Sequence, residues 1–107
     1  MIFDVVVSDL AENDIKEAAL YISNELKNPQ ASQDLLNLIS EKINDLSYFP
    51  YSYPICSEDP ILKSCKFRIL PIKNYLIFYR VNEKEKYVII TRFLYKRRNW
   101  VDILKEI

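Results

Sequence analysis

The sequence predicts a small α+β domain in the order β-α-α-β-β-β-α, with a helical hairpin packed on one face of a small antiparallel sheet. Three observations carry this. One short apolar strand is followed by two helix-period stripes, and then by three strand-like runs in a block, the segregation that marks α+β rather than α/β architecture. No Pro-rich or charged linker divides the 107 residues, so residues 1–107 read as a single domain around one core. Half the residues are apolar, which places the chain among globular proteins.

The elements follow in order. "IFDVVVS" (2–8) is rich in Val and Ile and reads as a strand. Ser8 or Asp9 caps the first helix, and Asp9 with Glu12 forms a D-x-x-E variant of the capping box. Ile15, Ala18, Ala19, Ile22 and Leu26 then recur on one helical face, and "KNP" ends that helix. Asn28 as cap and Pro29 in the first turn start the second helix, whose stripe is Leu35, Ile39, Ile43 and Leu46 and which stops before Phe49-Pro50. So short a link makes the pair an antiparallel hairpin.

Residues 51–64 have mixed polarity, two prolines after Pro50 and no period, and read as loop. "KFRILPI" (66–72), "YLIFYRV" (75–81) and "YVIITRFL" (87–94) are the later strands, the last two joined through "NEKEK" (82–86). A short helix over 100–106 is capped by Asn99, with Asp102 in its first turn, where a carboxylate suits the helix dipole.

Composition removes several function classes. There is no histidine, which excludes Ser-His and Cys-His nucleophile pairs and any imidazole base. There is no glycine, which excludes phosphate-cradling Gly-rich loops and leaves positive-φ turns to Asn or Asp, or to be avoided. Cys56 and Cys65 form no C-x-x-C or metal pattern and read as free thiols, so neither a metal nor a cofactor is expected. "MIFDVVVSDL" lacks a basic start and carries Asp4, unlike a signal peptide, and no apolar run approaches the ~20 residues of a membrane span. A cytoplasmic location is the expectation.

The zero net charge hides a polarised chain. Residues 1–65 carry eleven acids and four bases, net −7, and residues 66–107 carry the reverse, net +7. Two explanations stand: the halves neutralise each other internally, or they face different partners. "TRFLYKRRNW" (91–100) sharpens the choice. Lys96, Arg97 and Arg98 stand immediately before a helix, the end where cations are disfavoured, and Trp100 closes the run. Pairing the last two strands about 82–86 sets Arg80 opposite Val88, Phe78 opposite Ile90 and Leu76 opposite Arg92. Arg80 and Arg92 then share one face, while Tyr75, Ile77, Tyr79, Val81, Ile89 and Phe93 form the apolar face for the helices. Arg68 lies on the neighbouring run. The expectation is a sheet face or rim lined with guanidinium groups that awaits an acidic or phosphate-bearing partner.

Four stretches resemble the RelE/ParE superfamily of type II toxin–antitoxin toxins: "YISNELKNPQAS", "LSYFP", "FRILPIKNYLIFYRV" and "IITRFLYKRRNWVDIL". The most specific are Y-x-x-F-Y-R-V and I-x-R-x-L-x-x-R-x-x-aromatic, and together the four span nearly the whole chain. Spacing is closer to the ParE branch, with Arg68, Tyr79, Arg80, Arg92 and Arg97 or Arg98 at its recurring positions, and with Tyr95 and Asn99 where that pattern commonly has His and Asp. The ParE resemblance implies binding to DNA gyrase and neutralisation by a cognate antitoxin. Together with the cationic run at 91–100, it makes Arg68, Arg80, Arg92, Lys96, Arg97, Arg98 and Trp100 the candidate target-binding residues.

The alternative that the superfamily implies is a ribosome-dependent mRNA endoribonuclease. Its candidate catalytic residues are Arg68, Tyr95, Lys96 and Arg97, with a tyrosine or lysine as base. Leu76, where RelE toxins have an arginine, and Ile103, near their catalytic tyrosine, depart from that pattern. An antitoxin of either kind has two docking options, an acidic segment over the arginine face or an amphipathic helix in a groove beside the hairpin. Tyr48, Tyr51 and Tyr53 read either as interface anchors or as closure of the core under the loop. On this reading Arg92→Ala or Arg97→Ala removes toxicity and leaves folding almost unchanged.

Overall fold

The computed structural model describes residues 2–106. Strand β1 (Asp4–Val7) leads into α1 (Asp9–Leu20), which continues as a π-helical turn over Tyr21–Glu25. The rest are α2 (Pro29–Tyr48), α3 (Pro60–Ser64), β2 (Arg68–Ile72), β3 (Tyr75–Asn82), β4 (Tyr87–Tyr95) and α4 (Trp100–Lys105). The strand order is β1-β4-β3-β2. β2, β3 and β4 form the expected antiparallel set, and β1 adds a parallel partner to β4, with Asp4 opposite Tyr87 and Val7 opposite Ile90, so the sheet is mixed.

Local chemistry sets the helix ends. Ser8, not Asp9, caps α1: its Oγ accepts from the Ala11 amide at 3.1 Å and donates to the Thr91 carbonyl at 2.8 Å. Asn28 Oδ1 accepts from the Ala31 amide, with Pro29 behind it, as expected. The hairpin is fastened by buried Ser32, whose Oγ donates to the Ala19 carbonyl at 2.8 Å. In the π turn the Leu26 amide reaches back to the Tyr21 carbonyl at 3.1 Å. The wider turn carries Leu26 off the expected stripe, and it is exposed while Ile15, Ala18 and Ile22 pack on the core.

The loop after α2 holds one unexpected helix. Asp59 Oδ1 accepts from the amides of Ile61 and Leu62, and Pro60 follows it, so α3 starts on the same cap-plus-proline device as α2. Left-handed backbone also falls where it was not expected. Lys27, Lys66, Lys73 and Lys86 hold φ between 51° and 60°, instead of Asn or Asp. Each sits where an element ends or turns.

Both faces of the sheet are covered. On one face Ala11, Leu35, Ile39 and Leu46 of the hairpin meet Leu70, Ile72, Ile77, Tyr79, Val88, Ile90 and Phe93. On the other, Leu62 of α3 and Leu104 of α4 join Cys56, Phe67, Leu76, Phe78 and Leu94. This corrects the expected open arginine face. Leu76, Ile77, Phe78 and Tyr79 are all buried in succession, the mark of a strand covered on both sides rather than one.

The β3–β4 register also differs from the expected pairing. Arg80 lies opposite Ile89, one residue off, and a bulge lets Tyr79 pair with Ile90 and Phe78 with Arg92, leaving Thr91 over. Val88 and Ile90, not Ile89, therefore face the hairpin. Both cysteines are free, with Cys56 buried and Cys65 half-buried.

Candidate functional site

Lys96, Arg97 and Arg98 occupy the turn after β4 and are exposed. The backbone of the turn is pinned: Lys96 N–H donates to the Asn74 carbonyl at 2.8 Å, Arg98 N–H to the Tyr95 carbonyl at 3.0 Å, and Trp100 N–H to the Arg98 carbonyl at 2.8 Å. Among the described residues, none of the three cationic side chains forms an ion pair. Asn99 donates to Asp102 Oδ2 at 2.7 Å and makes no side-chain bond to the helix backbone. Trp100 is half-buried, its ring 5.2 Å from that of Phe78, so it anchors α4 rather than presenting a free contact.

The other predicted arginines do not join this turn. Arg92 is enclosed by an ion pair: its Nε donates to Asp14 Oδ2 at 2.6 Å and its Nη2 to Oδ1 at 2.8 Å, with side chains 15% and 8% exposed. Asp14 also accepts from the Phe93 amide at 3.1 Å. The reason is topological. β1 stops opposite Ile90, and the uncovered edge of β4 beyond it is satisfied by α1 side chains, Ser8 at Thr91 and Asp14 at Phe93. The hydrogen bond to Asp14 holds the Arg92 guanidinium even above its ordinary range. Arg92 is thus a clamp between α1 and β4.

Arg68 turns toward the loop after α2. Its Nη1 donates to the Tyr53 carbonyl at 2.6 Å, and its guanidinium lies 5.1 Å from the Tyr51 ring centroid. Arg80 is exposed near the same end of the sheet but belongs to the opposite face, 5.4 Å from the Phe67 ring centroid. Arg68 pairs with Tyr79, whereas Tyr95 pairs with Tyr75. Four residues of β3 separate those levels, about 13 Å along the strand. The expected convergence of Arg68 with Tyr95, Lys96 and Arg97 is therefore absent. Tyr79 is fully buried and donates its hydroxyl to the Pro50 carbonyl at 2.8 Å, and burial pushes its pKa to about 12. Tyr48 and Tyr51 are exposed, while Tyr53 packs against the core, so the two readings of these tyrosines divide among them.

An open groove of about 790 Å³ runs between the hairpin and the sheet, at the place beside the hairpin that the sequence offered as a docking option without its lining. Ala18, Ile22, Leu26, Ala31 and Leu35 form its helical wall, and Tyr75, Phe93 and Tyr95 its sheet wall. Asp14 and Glu17 stand on the helical side, Lys73 and Arg98 on the sheet side. Tyr75 stacks on Phe93 at 4.7 Å and meets Tyr95 edge-on at 5.7 Å. Burial raises its pKa, with smaller contributions from Tyr95 and Tyr21. The arrangement is apolar along its length and charged at its borders. It offers no nucleophile–base pair and suits a macromolecular segment.

The family described as the ParE toxin of type II toxin-antitoxin system, parDE, matches residues 5–100. The chain belongs to the ParE toxin family. Its fold is similar to that of a chain in the chromosomal ParDE toxin–antitoxin system from P. aeruginosa, with a TM-score of 0.69, 18% identity, and 88% of this chain and 96% of that one covered. It is similar as well to a chain in the crystal structure of the toxin–antitoxin complex RelBE2 from Mycobacterium tuberculosis, with a TM-score of 0.61, 18% identity, and 89% and 99% covered. No curated protein matches it. The ParE-family match agrees with the closer of the two sequence resemblances, and the α+β architecture expected from that resemblance is the one found.

Proposed function

We propose that this ParE-family chain inhibits growth by binding DNA gyrase through the Lys96–Arg98 turn, without covalent chemistry of its own, and that a cognate antitoxin neutralises it. One observation carries the reading. Three adjacent cations are held exposed on a pinned turn with no carboxylate of their own among the described residues, while Arg92 and Arg68 are engaged inside the fold. A cationic patch without internal partners is surface reserved for an anionic or strongly polar partner. The antitoxin partner is supported by the two similar structures, both of them toxin–antitoxin systems, and by the apolar groove, whose lining suits an amphipathic helix.

The ribosome-dependent mRNA cleavage reading requires Arg68 beside Tyr95, Lys96 and Arg97, and their separation along the sheet weighs against it. A supercoiling assay with purified chain and gyrase tests the proposal. Loss of supercoiling or a trapped cleavage complex is expected. Unchanged supercoiling together with chain-dependent cuts in translated message, read by primer extension, overturns it in favour of the nuclease.

A further inference from the structure

The groove is not electrostatically symmetric. On its helical wall Asp14 already accepts three hydrogen bonds, two from Arg92 and one from the Phe93 amide, and Glu17 accepts from Asn13. On its sheet wall Lys73 and Arg98 have no carboxylate among the described residues. The two are stitched to one place because Lys96 N–H bonds the Asn74 carbonyl, tying the β2–β3 turn that holds Lys73 to the turn that holds Arg98. Tyr75 and Tyr95 meet edge to face beside them, Tyr21 reaches the same groove from the π turn, and none of the three hydroxyls has a protein acceptor among the described residues. Together they present two cations and three O–H donors above an apolar floor, with nothing among the described residues to satisfy them.

We infer that the sheet wall of the groove, formed by Lys73, Arg98, Tyr75 and Tyr95, together with Tyr21 of the π turn, is a carboxylate-accepting subsite for acidic side chains flanking the apolar stripe of a partner helix. The inference rests on the proposed antitoxin partner and deepens it. The occupant is an amphipathic helix with Asp or Glu on the flank that faces the sheet. Arg98 belongs both to this wall and to the exposed turn. An acid seated here withdraws one of the three cations of that turn, so filling the groove and masking the proposed gyrase-binding surface are one event.

The test uses the purified chain and synthetic helical peptides of about 16 residues, roughly 24 Å long. All carry the same Leu/Ala stripe, with Glu, Gln or Lys on the flanks. Fluorescence anisotropy at low salt is expected to show the Glu peptide binding about tenfold or more tighter than the Gln peptide, as two or three charge-assisted bonds require. The advantage is expected to shrink at high salt. In a Lys73→Glu/Arg98→Glu variant the preference is expected to pass to the Lys peptide. Equal binding of Glu and Gln peptides, no binding of any peptide, or a preference that survives the double variant overturns the inference. If that variant does not fold, a Glu advantage in the unaltered chain that is insensitive to salt does so instead. Growth inhibition is not involved, so failure of the toxin reading and failure of the subsite are separate results.

Discussion

At the scale of single residues, Arg92 and Tyr79 separate structural from functional positions. Replacing Arg92 with alanine strands the nearly enclosed Asp14 carboxylate, and breaking a buried pair from one side is costly. Arg92→Ala is therefore expected to destabilise the domain by about 3 kcal/mol, read as a lower urea midpoint. That reverses the sequence expectation of almost unchanged folding. The sequence could not show it, because Asp14 lies 78 residues away and nothing local to Arg92 marks it as paired. Arg97, exposed and without an ion pair among the described residues, keeps the original expectation of a change within about ±0.5 kcal/mol. Tyr79 gives a pH signature. Its pKa rises from 10.0 to about 12 on folding, so its contribution to stability is whole below pH 10 and disappears as the pH climbs through 12. Urea midpoints measured at rising alkaline pH are expected to fall across that window, and Tyr79→Phe is expected to lessen the fall.

At the scale of elements, most of the fold was legible and the exceptions have identifiable causes. Strands and long helices announced themselves by period. The bulge did not, because Val88, Ile89, Ile90 and Thr91 offer no alternation that fixes which of them faces the hairpin. α3 is too short to show a period, yet Asp59-Pro60 repeats the Asn28-Pro29 signal by which α2 was located. The groove arises only when hairpin and sheet are brought together, and no run of sequence encodes it. The four left-handed lysines were hidden by the absence of glycine, since each turn must use what the chain supplies. At such a position a side chain costs roughly 1 kcal/mol relative to glycine. Lys66→Gly, at the end of α3, is expected to raise the melting temperature by about 4 °C in a domain of this size. A second element-level test concerns the tie between α3 and α4, where Lys105 Nζ lies 2.8 Å from Asp59 Oδ2. That bond lowers the Asp59 pKa from 3.8, so its contribution holds above pH 3.8 and is lost as the pH falls through the lower folded value. A Lys105→Met variant is expected to lack that part of the acid-induced loss of stability.

At the scale of the molecule, the two explanations of the polarised charge both apply, each to different residues. Arg92 with Asp14 and Lys105 with Asp59 join the basic half of the chain to the acidic half. Lys96, Arg97 and Arg98 are left outside that settlement, on a turn whose backbone is fixed by three hydrogen bonds while its side chains pair with no acid among the described residues. The central claim is that this turn, and not a convergent arginine face, is the acting surface. Growth after induction of a Lys96→Ala/Arg97→Ala/Arg98→Ala chain, compared with the unaltered chain at equal soluble amount and equal melting temperature, tests it most directly. Arrest by the unaltered chain and normal growth with the triple variant are expected; arrest of equal depth by the two would overturn the role of this turn.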